Sequence, residues 1–290
     1  MSSSENPQLD PQSPLRSEVP VRFSNRPDLI VPSATEPPTV PSVPPPVKDP
    51  AWSGGDVALV ALLSVVTIVL VQFAIVYGAH YLLYPRIPLL ELGQRPILAL
   101  ISQFLIDAAI VVYIFLLVEG KYHTRFWHAI RWNWREANWL MLGLGAVTFL
   151  VLTLVGNLLP MPKETPFDQL FEKPRNAYLL ALMAVTLGPL MEELFFRGFL
   201  YPVLARRWGA GWGIFWAAVP FALMHLPQYG YSWGIILVIL AVGVVCGIVR
   251  AATKSVAASF LVHAGYNGAQ MVIAVLVTHG FTRMPKGVLE

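Results

Sequence analysis

Gly188-Pro189-Leu190-Met191-Glu192-Glu193-Leu194-Phe195-Phe196-Arg197-Gly198 sets two adjacent carboxylates and a guanidinium inside an apolar run that begins near Ala177. A charge at the centre of a bilayer costs at least ~2.5–3.5 kcal/mol on insertion scales, so such residues need a partner or a task. On a helix, Glu193 and Arg197 stand at i, i+4, on one face and within pairing reach. Glu192 points about 100° away from Glu193, which leaves its carboxylate free for another role. The plainer alternative is a helix end, with Arg197 snorkelling to the interface and both glutamates in water. The rest of the chain argues against it.

Of 290 residues, 56% are hydrophobic and 13% charged. Soluble domains run near ~25% charged, so the composition is that of a membrane protein. With a formal net charge of only +3, the Lys and Arg residues read as headgroup contacts and topology signals, not as a nucleic-acid surface. The one cysteine, Cys246, excludes an internal disulfide and a Cys-based zinc cluster.

The expected fold is an all-α polytopic bundle of about seven transmembrane helices. Residues 1–50 hold 13 of the 25 prolines and many serines. They read as a disordered tail, with Pro44-Pro45-Pro46 favouring extended polyproline conformation. No apolar h-region lies near Met1, so the tail is not a signal peptide. Residues 51–176 supply the N-terminal spans: Val57 to about Leu83, Pro96 to Val118, and Leu140 to Leu159. Asp107 lies mid-span and is expected to bond a neighbouring helix. Between the second and third spans, residues 119–138 interleave Lys121, Arg125, Arg131 and Arg135 with Phe126, Trp127, Trp132 and Trp134. That mixture describes an amphipathic segment in the headgroup layer. Residues 177–278 form the core, with spans at about Ala177–Leu204, Trp212–His225, Trp233–Val249 and Ser255–Thr278; residues 279–290 are a tail. Gly243 and Gly247 permit close packing of the sixth span. The turns at Arg206-Arg207 and Arg250–Lys254 are basic, whereas the 226–232 turn has no Lys or Arg. The positive-inside bias then sets the N-terminus in the cytoplasm and the protein in the cytoplasmic membrane.

Three more polar groups interrupt the apolar runs: His225, His263 and Asn267. His263 and Asn267, at i, i+4, share one helix face. At about 1.5 Å per residue, Glu192 lies about 21 Å from Arg206, His225 about 20 Å from Trp212 and His263 about 14 Å from Lys254. All three depths fall within a hydrocarbon core of about 30 Å, so these side chains can meet in one intramembrane cavity. Each alone reads as an ordinary packing residue. Together, a carboxylate beside a histidine can activate a water, and a second histidine with an asparagine can stabilise an oxyanion. Glu192, His225 and His263 would equally serve as a divalent metal site, zinc for example, with an open position for water.

The ordered motifs Glu192-Glu193-x-x-x-Arg197, Phe221-x-x-x-His225 and His263-x-x-x-Asn267 resemble those of the CPBP intramembrane proteases. That family includes the CAAX prenyl endopeptidases and the bacteriocin-immunity (Abi) relatives. The resemblance covers roughly residues 177–278. It implies hydrolysis of peptide bonds in membrane-associated or lipidated substrates. Glu192 would be the general base and His225 its partner in activating water. His263 and Asn267 would stabilise the oxyanion, with Glu193, Arg197 and Phe221 as structural support. Family members are described both as metal-dependent and as glutamate-dependent. The placement of Asn267 at i+4 from His263 fits a donor pair better than a ligand pair, which favours a metal-free site. There is no His-Glu-x-x-His, so a zincin-type site is not supported. Two other classes use the same residues: an ion- or proton-coupled transporter with Glu192, Asp107 and the histidines as a relay, and a non-catalytic immunity or scaffold protein. The expected partners are membrane lipids and a peptide or lipidated protein.

Overall fold

The computed structural model describes residues 49–162, 165–171 and 174–282. The N-terminal tail up to residue 48 and the C-terminal tail from residue 283 lie outside the described residues. Helices account for the fold, and no strand occurs among the described residues. In chain order they are α1 (Gly54–Leu82), α2 (Leu89–Gly93), α3 (Pro96–Phe115), α4 (Phe126–Ala129), α5 (Trp139–Gly156), α6 (Pro174–Val185), α7 (Leu187–Glu193), α8 (Tyr201–Trp208), α9 (Ala210–Leu223), α10 (Trp233–Thr253) and α11 (Val256–Val277).

Among the described residues, six helical stretches are long and apolar enough to cross a membrane: Gly54–Leu82, Pro96–Lys121, Trp139–Gly156, Asn176–Trp208, Trp233–Thr253 and Val256–Val277. Their outward faces stay apolar, as at the exposed Leu62, Leu70, Leu154 and Leu276. Such faces suit hydrocarbon and not water. The protein is therefore an integral membrane protein.

The fifth expected span, Trp212–His225, is the 14-residue helix α9, which starts and ends two residues earlier. At about 21 Å it is too short for a core of about 30 Å. Pro220 lies inside it, and the chain turns over Met224–Ser232 before α10 begins. This early stop leaves His225 just past the helix end, inside the bundle. The tight turn into α9 uses Gly209 at φ +84°, a conformation that side chains rarely adopt.

Local signals explain the helix starts. Ser53 and Asp56 form a capping box at α1. Asn138 caps α5 and Ser255 caps α11. Each cap satisfies amide donors that a helix N-terminus otherwise leaves unpaired. Close packing rests on small residues. A Cβ on Gly145 would meet the Val262 carbonyl, and one on Gly265 the Leu142 carbonyl, so α5 and α11 touch backbone to backbone. Gly243 and Gly247 likewise admit Ala218 and Ile214 of α9, which is the close packing expected of the sixth span.

The 119–138 segment is not one amphipathic helix. It comprises the end of a π-helical turn (Leu116–Lys121), the four-residue α4 and turns. Phe126 and Ile130 are buried, while Trp127 and Trp134 are more than half exposed. The buried pair joins Trp52, Phe199 and Val203 in an apolar cluster behind the polar motifs.

Candidate active site

The opening stretch is the least regular part of the bundle. α6 stops at Val185, Thr186 interrupts it, and α7 carries Glu192 and Glu193. Pro189 contributes no amide proton to that turn. A π-helical stretch, Leu194–Leu200, follows directly, and π-bulges occur often at functional sites. Its widened turn is held by side chains from elsewhere. Trp52 Nε1 donates to the Phe199 carbonyl at 2.9 Å, and Arg250 Nε donates to the Arg197 carbonyl at 3.2 Å. Arg206 in turn donates to the carbonyls of Pro50 and Trp52.

Glu193 and Arg197 form an ion pair at 2.8 Å, with both side chains almost fully buried. Arg197 Nη2 also donates to the Gly243 carbonyl at 2.8 Å, and its guanidinium lies 4.5 Å over the Phe221 ring. Glu193 has two further partners that sequence reasoning missed. Ser259 Oγ donates to its Oε2. His263 Nδ1 lies 3.1 Å from its Oε1. A carboxylate accepts only, so this nitrogen carries the proton. Glu193 thus orients His263 as well as holding Arg197.

Glu192 turns the other way, into a cavity of about 1000 Å³. Its Oε1 is 3.9 Å from His225 Nε2 and its Oε2 is 3.7 Å from His263 Nε2. Both separations exceed hydrogen-bond length, so the carboxylate and the two ring nitrogens face one another unpaired. His225 Nδ1 is 2.8 Å from the Phe221 carbonyl, and a carbonyl cannot donate, so this Nδ1 also carries a proton. In their neutral forms both imidazoles therefore present a bare Nε2 to Glu192. Phe221 supports the pair edge-on, with its ring centroid 5.1 Å from His225 and 5.6 Å from His263. Its place is between the two histidines and Arg197.

Asn267 reaches the same cavity, but its Nδ2 donates to the Ala184 carbonyl at 2.7 Å. That carbonyl belongs to the last turn of α6, where helix geometry supplies no partner. Asn267 thus caps the broken helix and keeps one amide proton free. Asp107 also lines the cavity; its Oδ1 accepts from Gln103 of its own helix at 2.8 Å, where a bond to another helix was expected. Donor atoms of Glu193, Cys246 and His263 lie within 4.8 Å of one another. Arg197, Ser259 and His263 already engage Glu193, so this cluster reads as a packed network and not as a metal centre.

A helical membrane bundle with a carboxylate and two imidazoles facing one another in an internal cavity has the features of an intramembrane hydrolase. Residues 174–269 match the family model of the type II CAAX prenyl endopeptidases, Rce1-like. The match runs from α6 into the second half of α11 and contains Glu192, His225, His263 and Asn267. The activity class that goes with the family is endopeptidase cleavage in the membrane. No curated protein and no solved structure matches the chain.

Proposed function

We propose that the chain hydrolyses a peptide bond of a membrane-associated or lipidated polypeptide inside this cavity. The observation that carries the reading is the placement of Glu192 between two imidazole Nε2 atoms, at 3.9 and 3.7 Å. Water lying between these groups would donate one proton to Glu192 and a hydrogen bond to His225 Nε2. Deprotonated by Glu192, its oxygen would attack the scissile carbonyl. His225 is held for this by the Phe221 carbonyl at 2.8 Å. The tetrahedral intermediate needs donors. In this reading His263 enters the step already as the imidazolium, its Nδ1–H held by the Glu193 carboxylate and its Nε2–H donating to the oxyanion. Asn267 adds its remaining amide proton. Glu192 then returns its proton to the leaving amine.

A second reading has its own support. Both histidines have Nδ1–H tied, one to a backbone carbonyl and one to a carboxylate, the outer-shell pattern that fixes metal-binding imidazoles. Their Nε2 atoms and Glu192 offer the donor chemistry that zinc takes. A divalent ion there would supply Lewis-acid polarisation of the scissile carbonyl. The two readings part at His263. Zinc content and chelator sensitivity, measured on one purified sample, separate them. In the metal-free reading, activity survives chelation, and His263→Ala costs about 10²–10³ in rate, the range for one oxyanion donor. Stoichiometric zinc whose removal stops turnover, with recovery on adding it back, would make Glu192, His225 and His263 the ligands.

The cavity lining reaches residues at one end of the helices: Asn157, Gln228 and Thr278 follow α5, α9 and α11. The basic turns at Arg206-Arg207 and Lys254 lie at the opposite helix ends. With those turns and the N-terminus in the cytoplasm, substrate enters from the extracytoplasmic side.

A further inference from the structure

Glu193 serves two partners with one oxygen. Arg197 Nη1 lies 2.8 Å from its Oε1, and His263 Nδ1 lies 3.1 Å from the same atom. The other oxygen, Oε2, accepts from Ser259 Oγ. All four side chains are buried. The arginine is poorly served by this arrangement. Its 2.8 Å contact is not aligned as a hydrogen bond, so Nη1 is buried without one, while Nη2 donates to the Gly243 carbonyl.

An arginine and a carboxylate prefer two parallel N–H···O bonds. A turn of the Glu193 carboxyl group toward that geometry would take Oε1 away from His263. The terminal torsion of a glutamate is broad and offers little resistance of its own. Ser259 supplies the resistance. It stands one turn before His263 on α11, so hydroxyl and imidazole reach Glu193 from the same helix face. Its Oγ has one proton and two acceptors, Glu193 Oε2 and the Cys246 carbonyl at 3.0 Å. The charged acceptor makes the stronger bond, and the carbonyl, inside α10, is already served by the amide four residues on. We propose that Ser259 is a positioning residue: it pins Oε2 of Glu193 and so keeps Oε1 on His263 Nδ1 against capture by Arg197. The proposal rests on the peptidase reading and adds to it a residue outside the three motifs. In the metal-free and the zinc readings alike, His263 works through Nε2 and needs its Nδ1–H held.

The test uses purified full-length protein, a transmembrane peptide reporter, and rates taken per folded protein from the monodisperse fraction. Ser259→Ala removes a single atom. Its kcat should fall about 10–100-fold, the range for losing an outer-shell partner, with KM unchanged. Ser259→Thr keeps the hydroxyl and should restore kcat. A lysine keeps the charge of Arg197 but lacks its planar fork. In an Arg197→Lys background Ser259→Ala should therefore cost less than about threefold, a non-additivity that marks coupled residues. The Nδ1 proton of His263 gives a readout that needs no turnover. In wild type it should appear as a downfield, slowly exchanging NMR signal, assigned by its absence from His263→Gln. In Ser259→Ala it should broaden or vanish. An unchanged kcat or an unchanged signal in Ser259→Ala overturns the proposal while leaving the peptidase reading intact. A full-sized loss that persists in Arg197→Lys also overturns it, since Ser259 would then act through packing and not against Arg197. If wild-type protein cleaves no reporter while the signal still depends on Ser259, the peptidase reading falls and the positioning of His263 stands.

Discussion

Arg197→Ala should unfold the protein far more readily than Glu192→Gln, although the two residues are five positions apart on one stretch of chain. Arg197 is 1% exposed and its partner Glu193 is fully buried. Truncating the arginine leaves the Glu193 charge uncompensated in the bundle interior, a loss of about 3–5 kcal/mol. It also strips the Gly243 carbonyl of its 2.8 Å donor and removes the cation over Phe221. Glu192 is different. Its side chain is 23% exposed and makes no contact shorter than 3.7 Å to either histidine. An amide of the same shape should change stability by less than about 0.5–1 kcal/mol. With a shift of about 2–4 °C per kcal/mol for a chain of comparable size, Arg197→Ala should lower Tm by roughly 6–20 °C. Thermal unfolding of the detergent-purified variants, followed by tryptophan fluorescence, measures this. Arg197→Lys should fall between the two, because it keeps the charge but loses the planar fork. Equal Tm for Arg197→Ala and Glu192→Gln would refute the assignment of Arg197 and Glu193 to the architecture and of Glu192 to the cavity.

Trp52→Ala should cost about 3–5 kcal/mol, the range for deleting a buried aromatic side chain, whereas Trp52→Phe should lose only the hydrogen bond to Phe199, about 0.5–1.5 kcal/mol; unfolding midpoints of the two variants check the ordering. In intact cells, a membrane-impermeant thiol reagent should label Gln228→Cys and leave Lys254→Cys unlabelled, and the reverse pattern would place the cavity mouth in the cytoplasm. Chelation should leave turnover unchanged in a sample free of zinc, as the metal-free reading requires.

Much of the site was legible because bilayer physics makes polar residues conspicuous. Glu193 and Arg197 could be paired from their spacing alone, and Glu192 could be set apart from them by one helical step. Depth counted in residues brought Glu192, His225 and His263 to one level, and the cavity holds all three. What escaped detection had no periodic signal. Leu194–Leu200 is apolar on most sides, so nothing in its pattern distinguishes a π-turn from an α-turn. Ser259 reads as a small packing residue until Glu193 is seen against it. The link from Asn267 to Ala184 depends on where α6 breaks, which Pro189 suggests without fixing the residue. Trp52 looks like part of a polar linker, yet it is 1% exposed and stacked on Phe199 at 5.3 Å. The end of α9 was placed two residues late, at His225 where the helix stops at Leu223, because the apolar run continues past Pro220.

The central claim is that Glu192 is the base in a peptide-bond hydrolysis. The most direct measurement compares cleavage of a lipidated or transmembrane reporter by purified wild-type protein and by Glu192→Gln at matched Tm. The account predicts turnover by wild type and none above background in the variant, since a carboxamide keeps the shape of the side chain but cannot take the proton of water. Turnover by a folded Glu192→Gln at the wild-type rate would contradict it.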